Sequence, residues 1–125
     1  VPPSIRKARR PPAAGLPPEL EEDFQRWCIE TAHLFKWHVV AYRAARVGRH
    51  GRWVTPLQGD SGAPDLILAR GGVCMLRELK RDGEYPRANQ RDWLRELGEH
   101  GGVWRPSDRV LIVEELRTGT KIIGR

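Results

Sequence analysis

Asp65, Glu78 and Lys80 are ionisable residues set inside the otherwise apolar stretch GAPDLILARGGVCMLRELKRDG, residues 62–83. Gly71-Gly72 reads as a two-residue turn between antiparallel strands, because glycine takes the positive φ angles that a tight hairpin demands. With Arg70 opposite Val73, counting outward brings Asp65 directly opposite Glu78. Side chains alternate along a strand, so Lys80 shares the Glu78 face. That face carries Asp65, Ile67, Ala69, Cys74, Leu76, Glu78 and Lys80. The other carries Leu66, Leu68, Val73, Met75 and Leu79. Both are mainly apolar, so both are expected to be covered.

Carboxylates opposite each other in an antiparallel pair have β-carbons about 4.5–5.5 Å apart, and like charges there are destabilising. Three compensations are open: a proton shared by the acids, the lysine alone, or a divalent cation. A hard ion such as Mg²⁺ takes one or two carboxylates together with water and substrate phosphate. Beside such an ion a lysine can orient or help deprotonate an attacking water. A plain salt bridge at the open end of the hairpin, Lys80 neutralising Glu78, is the alternative that needs no ligand.

The elements that would position these groups follow from periodicity. In PELEEDFQRWCIETAHLFK the apolar residues Leu20, Phe24, Trp27, Cys28, Leu34 and Phe35 keep the 3.6-residue period. Pro18 and three acids sit near the helix start, which predicts a helix over 18–36. WHVVAYRAARV reads as a short β-rich run, and a further short strand is expected at Arg52–Leu57. RANQRDWLRELGEHG is a second amphipathic helix in which Gln90, Trp93, Leu94 and Leu97 fall on one stripe. A buried amide on that stripe needs a partner, and a carboxylate, a water or a phosphate would serve. GVW reads as a brief strand, and PSDRVLIVEELRTG as a final helix or strand-to-helix segment. The expected fold class is α/β, a central mixed sheet flanked by helices in α-β-β-β-α-β order.

A chain of 125 residues suffices for one core, and no apolar run approaches the roughly 18 residues that span a membrane. Residues 1–16 form a Pro-rich basic arm whose Arg6, Lys7, Arg9 and Arg10 supply most of the net charge of +6. The arm has little to bury and is expected to be extended, with residues 17–125 as a single domain. Its cations, with Arg43, Arg46, Arg49 and Arg52 beside Trp53, suit phosphate contacts, although a solvated arm and an exposed loop explain them equally. The two cysteines, Cys28 and Cys74, and the four histidines lack metal-ligand spacing, and both cysteines sit in apolar patterns and read as small core residues. The start lacks an apolar secretory segment, so the expected compartment is the cytoplasm.

Pro64-Asp65 followed by Glu78-Leu79-Lys80 on the next strand resembles the PD-(D/E)xK nuclease superfamily. The ordered set ELEEDFQ, GDSGAPDLIL, RELK, NQRDWLRELGEHGG and VWRPSD, over about Leu20 to Leu116, is similar to its VRR-NUC branch. These are small nucleases related to Holliday-junction resolvases and often phage-borne, which would make the compartment the host cytoplasm. The resemblance implies a restriction-endonuclease-like core. It also implies Mg²⁺ or Mn²⁺ held by Asp65, Glu78 and the backbone carbonyl of Leu79, with Lys80 assisting the attacking water. A helix-one glutamate commonly completes such a site, here Glu21 in preference to Glu22 because it lies four residues before Gln25. Gln90 matches a family position as well. GEYPRANQ departs from the Ser- or Thr-led helix start of the pattern. Asp60 and Ser61 are placed to approach the metal or phosphate, though Gly59 and Gly62 make a turn an equal explanation.

The expected activity is metal-dependent hydrolysis of DNA phosphodiesters, on duplex or on branched DNA such as Holliday junctions, where a homodimer would suit symmetric cuts. The rival is a catalytically inactive nucleic-acid-binding or assembly protein that keeps the nuclease fold. A phosphohydrolase of small nucleotides fits the acids but leaves the basic arm without a purpose.

Overall fold

In the first helix, α1 (Pro18–Leu34), the apolar stripe meets the sheet through Phe24, Cys28 and Ala32, all buried. The computed structural model describes residues 18–42, 45–47, 52–54 and 58–124, with backbone alone at 18–20, 45–47 and 52–54. The helix stops short of the expected Lys36 because Lys36 takes a left-handed φ of 71°. The N–H of Trp37 then reaches back to the Ala32 carbonyl at 3.0 Å, and that of Lys36 to His33 at 2.9 Å. This is a Schellman closure, and the buried Trp37 against Ala32 supplies its apolar contact.

The main sheet has four strands in the order β1 (His38–Ala41), β4 (Leu66–Arg70), β5 (Val73–Leu79) and β6 (Gly101–Trp104). The first three are antiparallel, and β6 joins β5 in parallel, so the sheet is mixed. Between β5 and β6 runs α2 (Ala88–Leu97), which supplies the crossover that a parallel pair requires. A separate two-stranded ladder, β2 (Ala45–Val47) with β3 (Arg52–Val54), lies between β1 and β4 in the chain. After β6 the chain forms α3 (Arg109–Thr118).

The architecture is α/β as expected, but the order differs from α-β-β-β-α-β by the β2–β3 ladder and the third helix. The segment read ambiguously as helix or strand-to-helix is α3. Among the described residues, no helix is long and apolar enough to cross a membrane.

The two faces of the sheet are covered unequally. On one, α1 and α3 enclose Leu66, Leu68, Met75, Trp104, Ile112 and Leu116. The same face also buries Arg77 completely. On the other, α2 covers β5 and β6, where Leu94 and Leu97 crowd Gly101 so closely that a β-carbon would sit 2.9 Å from Leu97. Beyond the reach of α2 that face is open: Val40 and Cys74 are exposed, which corrects both the expectation of two covered faces and the reading of Cys74 as a core residue.

Candidate active site

The hairpin folds in the register set by its glycine turn. Gly71 and Gly72 adopt φ of 56° and 83°, conformations that side-chain-bearing residues rarely take. The ladder runs from Arg70↔Val73 to Leu66↔Arg77, so Asp65 and Glu78 stand opposite one another one step past its last pair. There the ladder has ended, and the N–H of Leu79 is taken by the Asp65 carboxylate at 2.8 Å. On the other side of β5, Lys80 donates its N–H to the Trp104 carbonyl, which ties the end of β5 to β6.

Glu78 is the centre of the cluster and is only 3% exposed. Its Oε2 accepts from the Gln90 side chain at 2.9 Å and lies 3.7 Å from the Lys80 ammonium, itself buried. Its Oε1 is buried without a hydrogen-bond partner, alone in this among the described side chains. Burial first, and the Asp65 charge second, push the Glu78 carboxyl from its ordinary 4.5 up to about 8, against the pull of Lys80 and Arg87. Burial raises Asp65 too, opposed by the Leu79 N–H, the neighbouring Glu78 carboxyl, Lys80 and Arg87. Of two facing carboxyls, the one raised to about 8 keeps its proton at neutral pH when nothing else compensates the pair.

Gln90 owes its place to the start of α2. Its Oε1 accepts the N–H of Arg87 at 2.8 Å, the glutamine half of a capping box, while its amide donates to Glu78. No Ser or Thr is needed, which accounts for the departure at GEYPRANQ. Arg87, overlooked in the sequence, thereby brings its positive charge within range of both acids. Its position three residues before the striped Gln90 was the available signal.

The remaining expected site residues are scattered. Glu21 is half exposed and ion-paired to Arg81 at 2.9 Å. Among the described residues, no three His, Cys, Asp or Glu side chains form a metal-holding group, so Glu21 does not join Asp65 and Glu78 in this conformation. The Ser61 hydroxyl accepts from Asn89 at 3.0 Å, and the Trp93 indole donates to the Ser61 carbonyl at 3.1 Å. Gly62 packs so tightly on α2 that a β-carbon would lie 2.8 Å from the Asn89 backbone, so this loop is fastened to the helix beside the acids. Arg46 and Arg52 lie on β2 and β3, where the ladder sets Arg46 opposite Trp53. Arg6, Lys7, Arg9, Arg10, Arg43 and Arg49 fall outside the described residues.

The oxygen donors fit a hard divalent ion: two facing carboxylates, one with an unpartnered buried oxygen, beside the strand end that carries the Leu79 carbonyl. No protein-family model, no curated protein and no solved structure matches this chain.

Proposed function

We propose that the chain is a Mg²⁺-dependent DNA endonuclease of the PD-(D/E)xK kind, with Mn²⁺ able to substitute. The observation that carries this reading is the buried, unpartnered Oε1 of Glu78 facing Asp65, with Lys80 and Gln90 on the other oxygen. A buried carboxylate oxygen without a donor is costly to keep, and a cation there would satisfy it. With the β2–β3 ladder and α3 set aside, the main-sheet elements α1-β1-β4-β5-α2-β6 run in the order of a restriction-endonuclease-like core, which also supports it.

Asp65, Glu78 and the Leu79 carbonyl would hold the ion, which supplies Lewis-acid polarisation of the phosphate and a lower pKa for the attacking water. The chain's own residues do the rest. The Leu79 N–H fixes the Asp65 carboxylate, and Gln90 holds Oε2 of Glu78, which leaves Oε1 for the ligand. The proton that the raised Glu78 carboxyl keeps at neutral pH must leave before both acids can act as ligands. Lys80, as an ammonium, orients the water and balances the charge that develops, and Arg87 attracts the phosphate. Glu21 becomes a further ligand only by leaving Arg81. The basic arm, the arginines of the β2–β3 region and Ser61 would contact DNA, and a homodimer would suit branched substrates.

Purified protein with plasmid, four-way-junction and single-stranded DNA should cleave at least one of them in Mg²⁺ or Mn²⁺. Glu78→Gln and Lys80→Ala should abolish that cleavage. Vigorous cutting by either variant sinks the assignment. The second reading, an inactive DNA-binding protein on the same fold, is favoured by the engagement of Glu21 with Arg81, and it predicts binding without metal and no cleavage by the wild type.

A further inference from the structure

Across α2 from the acid pair lies a cleft of about 660 Å³ along β6, the outer strand of the sheet. Gln90 and Arg91 are consecutive on α2, yet Gln90 binds Glu78 while Arg91 lines this cleft. Its described lining holds four cations, Arg91, Arg95, Arg105 and Lys121, and no acid. Arg91 and Arg105 are steadied by the carbonyls of Pro86 and Glu84, each at 2.6 Å, so their charge is positioned without being neutralised. Arg95 alone shares its charge with an acid, the exposed Asp92. Gly101, Gly102 and Val103 of β6 form its floor. At the rim Tyr85 is 75% exposed, and the Arg105 guanidinium lies 5.5 Å from its ring centroid.

Cations that no acid neutralises, Arg91, Arg105 and Lys121, call for an anion, and an exposed aromatic ring braced by arginine calls for a flat partner. A nucleotide unit has both, a phosphate and a base that stacks on tyrosine irrespective of sequence. The volume falls in the range of small-ligand sites. We infer that this cleft binds a nucleotide unit, with its base on Tyr85 and its phosphate among Arg91, Arg105 and Lys121. A single strand of nucleic acid or a free nucleotide would present the same chemistry. The cleft does not depend on hydrolysis at Asp65 and Glu78.

The test is fluorescence anisotropy of a labelled thymidine oligomer of about ten nucleotides, in EDTA, with unlabelled dTMP and inorganic phosphate as competitors. Tyr85→Ala and Lys121→Glu remove surface side chains and leave the fold in place, and each should weaken binding about tenfold. Arg117→Glu, an equal charge change on the exposed side of α3, should weaken it less than twofold. An oligomer held far more tightly than dTMP assigns the cleft to a strand; equal affinity assigns it to free nucleotides. Wild-type affinity in both cleft variants, the same loss in Arg117→Glu, or displacement by phosphate as efficient as by dTMP overturns the inference. The absence of metal lets the cleft succeed or fail separately from the nuclease reading.

Discussion

Arg77 and Glu78 are neighbours on β5, and alternation sends them to opposite faces of the sheet, where two buried acids are treated in opposite ways. On the α3 face, both oxygens of Glu115 are occupied. Oε1 receives Arg77 at 3.1 Å and the Trp104 indole at 2.7 Å, and Oε2 receives the N–H groups of Ile122 and Ile123, both at 2.7 Å. On the α2 face, Glu78 has one supplied oxygen and one without a donor. The first arrangement is closed: it ties β5, β6, α3 and the C-terminal segment together and leaves no capacity for a ligand. The second retains capacity, and buried polar groups of that kind are stable only when something else meets them.

The sharpest way to break the contrast is to remove one negative charge from each face. Glu115→Gln leaves Arg77 as a buried charge without its counterion and should lower unfolding stability in urea by about 3–5 kcal/mol. Against a typical domain total of about 5–15 kcal/mol, that is a large fraction. Glu78→Gln should leave stability unchanged or raise it at pH 8, because it removes a charge the fold disfavours. A Glu115→Gln variant within about 1 kcal/mol of wild type would erase the distinction between the two acids.

A pH series sharpens the same contrast with a smaller effect. Glu78 titrates near 8 in the fold against an ordinary 4.5. Below the ordinary value, folded and unfolded chains are both protonated and no penalty exists. Between the two values the folded chain holds the extra proton, so stability falls as pH rises, and the loss is complete once the folded pKa is passed. The slope should approach about 1.4 kcal/mol per pH unit at most. Millimolar Mg²⁺ should flatten it by favouring the ionised pair, and Glu78→Gln should be shallower, with Asp65 the raised acid that remains. Urea midpoints at pH 5, 6.5 and 8 decide this, and a slope as steep in Glu78→Gln as in the wild type assigns the titration elsewhere.

How far each face was legible in the sequence follows the same division. The Asp65–Glu78 pairing was readable because a two-glycine turn leaves one register and strand alternation does the rest. Gln90 was readable from the helical period. The Arg77–Glu115 pair was not, since its partners are 38 residues apart and no local pattern joins them. Arg77 was passed over on a face read as mainly apolar. The fold class followed from the element types, whereas α3 was ambiguous because RVLIVEEL is a β-branched apolar run that suits either strand or helix. Cys74 was misjudged because strand alternation says which face a residue occupies but not how far a crossing helix extends over it. The partner of Glu21 was illegible for a related reason: helical phase gives a side, and a long side chain then chooses among the cations within reach.

A substitution at Gln90 tests whether the supplied oxygen of Glu78 matters to the unsupplied one. Gln90→Leu takes the amide donor from Glu78 and the acceptor from the Arg87 N–H, which should cost about 1–3 kcal/mol of stability. If Gln90 holds Oε1 toward the ligand, Mg²⁺-dependent cleavage should also fall about tenfold, equivalent to about 1.4 kcal/mol. The metal concentration for half-maximal activity should rise with it. Loss of stability with unchanged metal dependence would reduce Gln90 to a helix cap.

The smallest effect is expected at Glu21, and it bears on where the open site ends. Its ion pair with Arg81 joins a 45% exposed carboxylate to a 27% exposed guanidinium, and exposed pairs contribute about 0–1 kcal/mol. Glu21→Gln should therefore leave urea stability within that range. Its effect on cleavage depends on whether Glu21 leaves Arg81 to reach the ion. Two facing carboxylates already satisfy the one or two that Mg²⁺ favours, so a loss of no more than about tenfold is expected. A loss as deep as that of Glu78→Gln, with stability intact, would mean that the ion draws Glu21 away from Arg81. Arg81→Ala would then lower the metal requirement, because the carboxylate would no longer have to be released first.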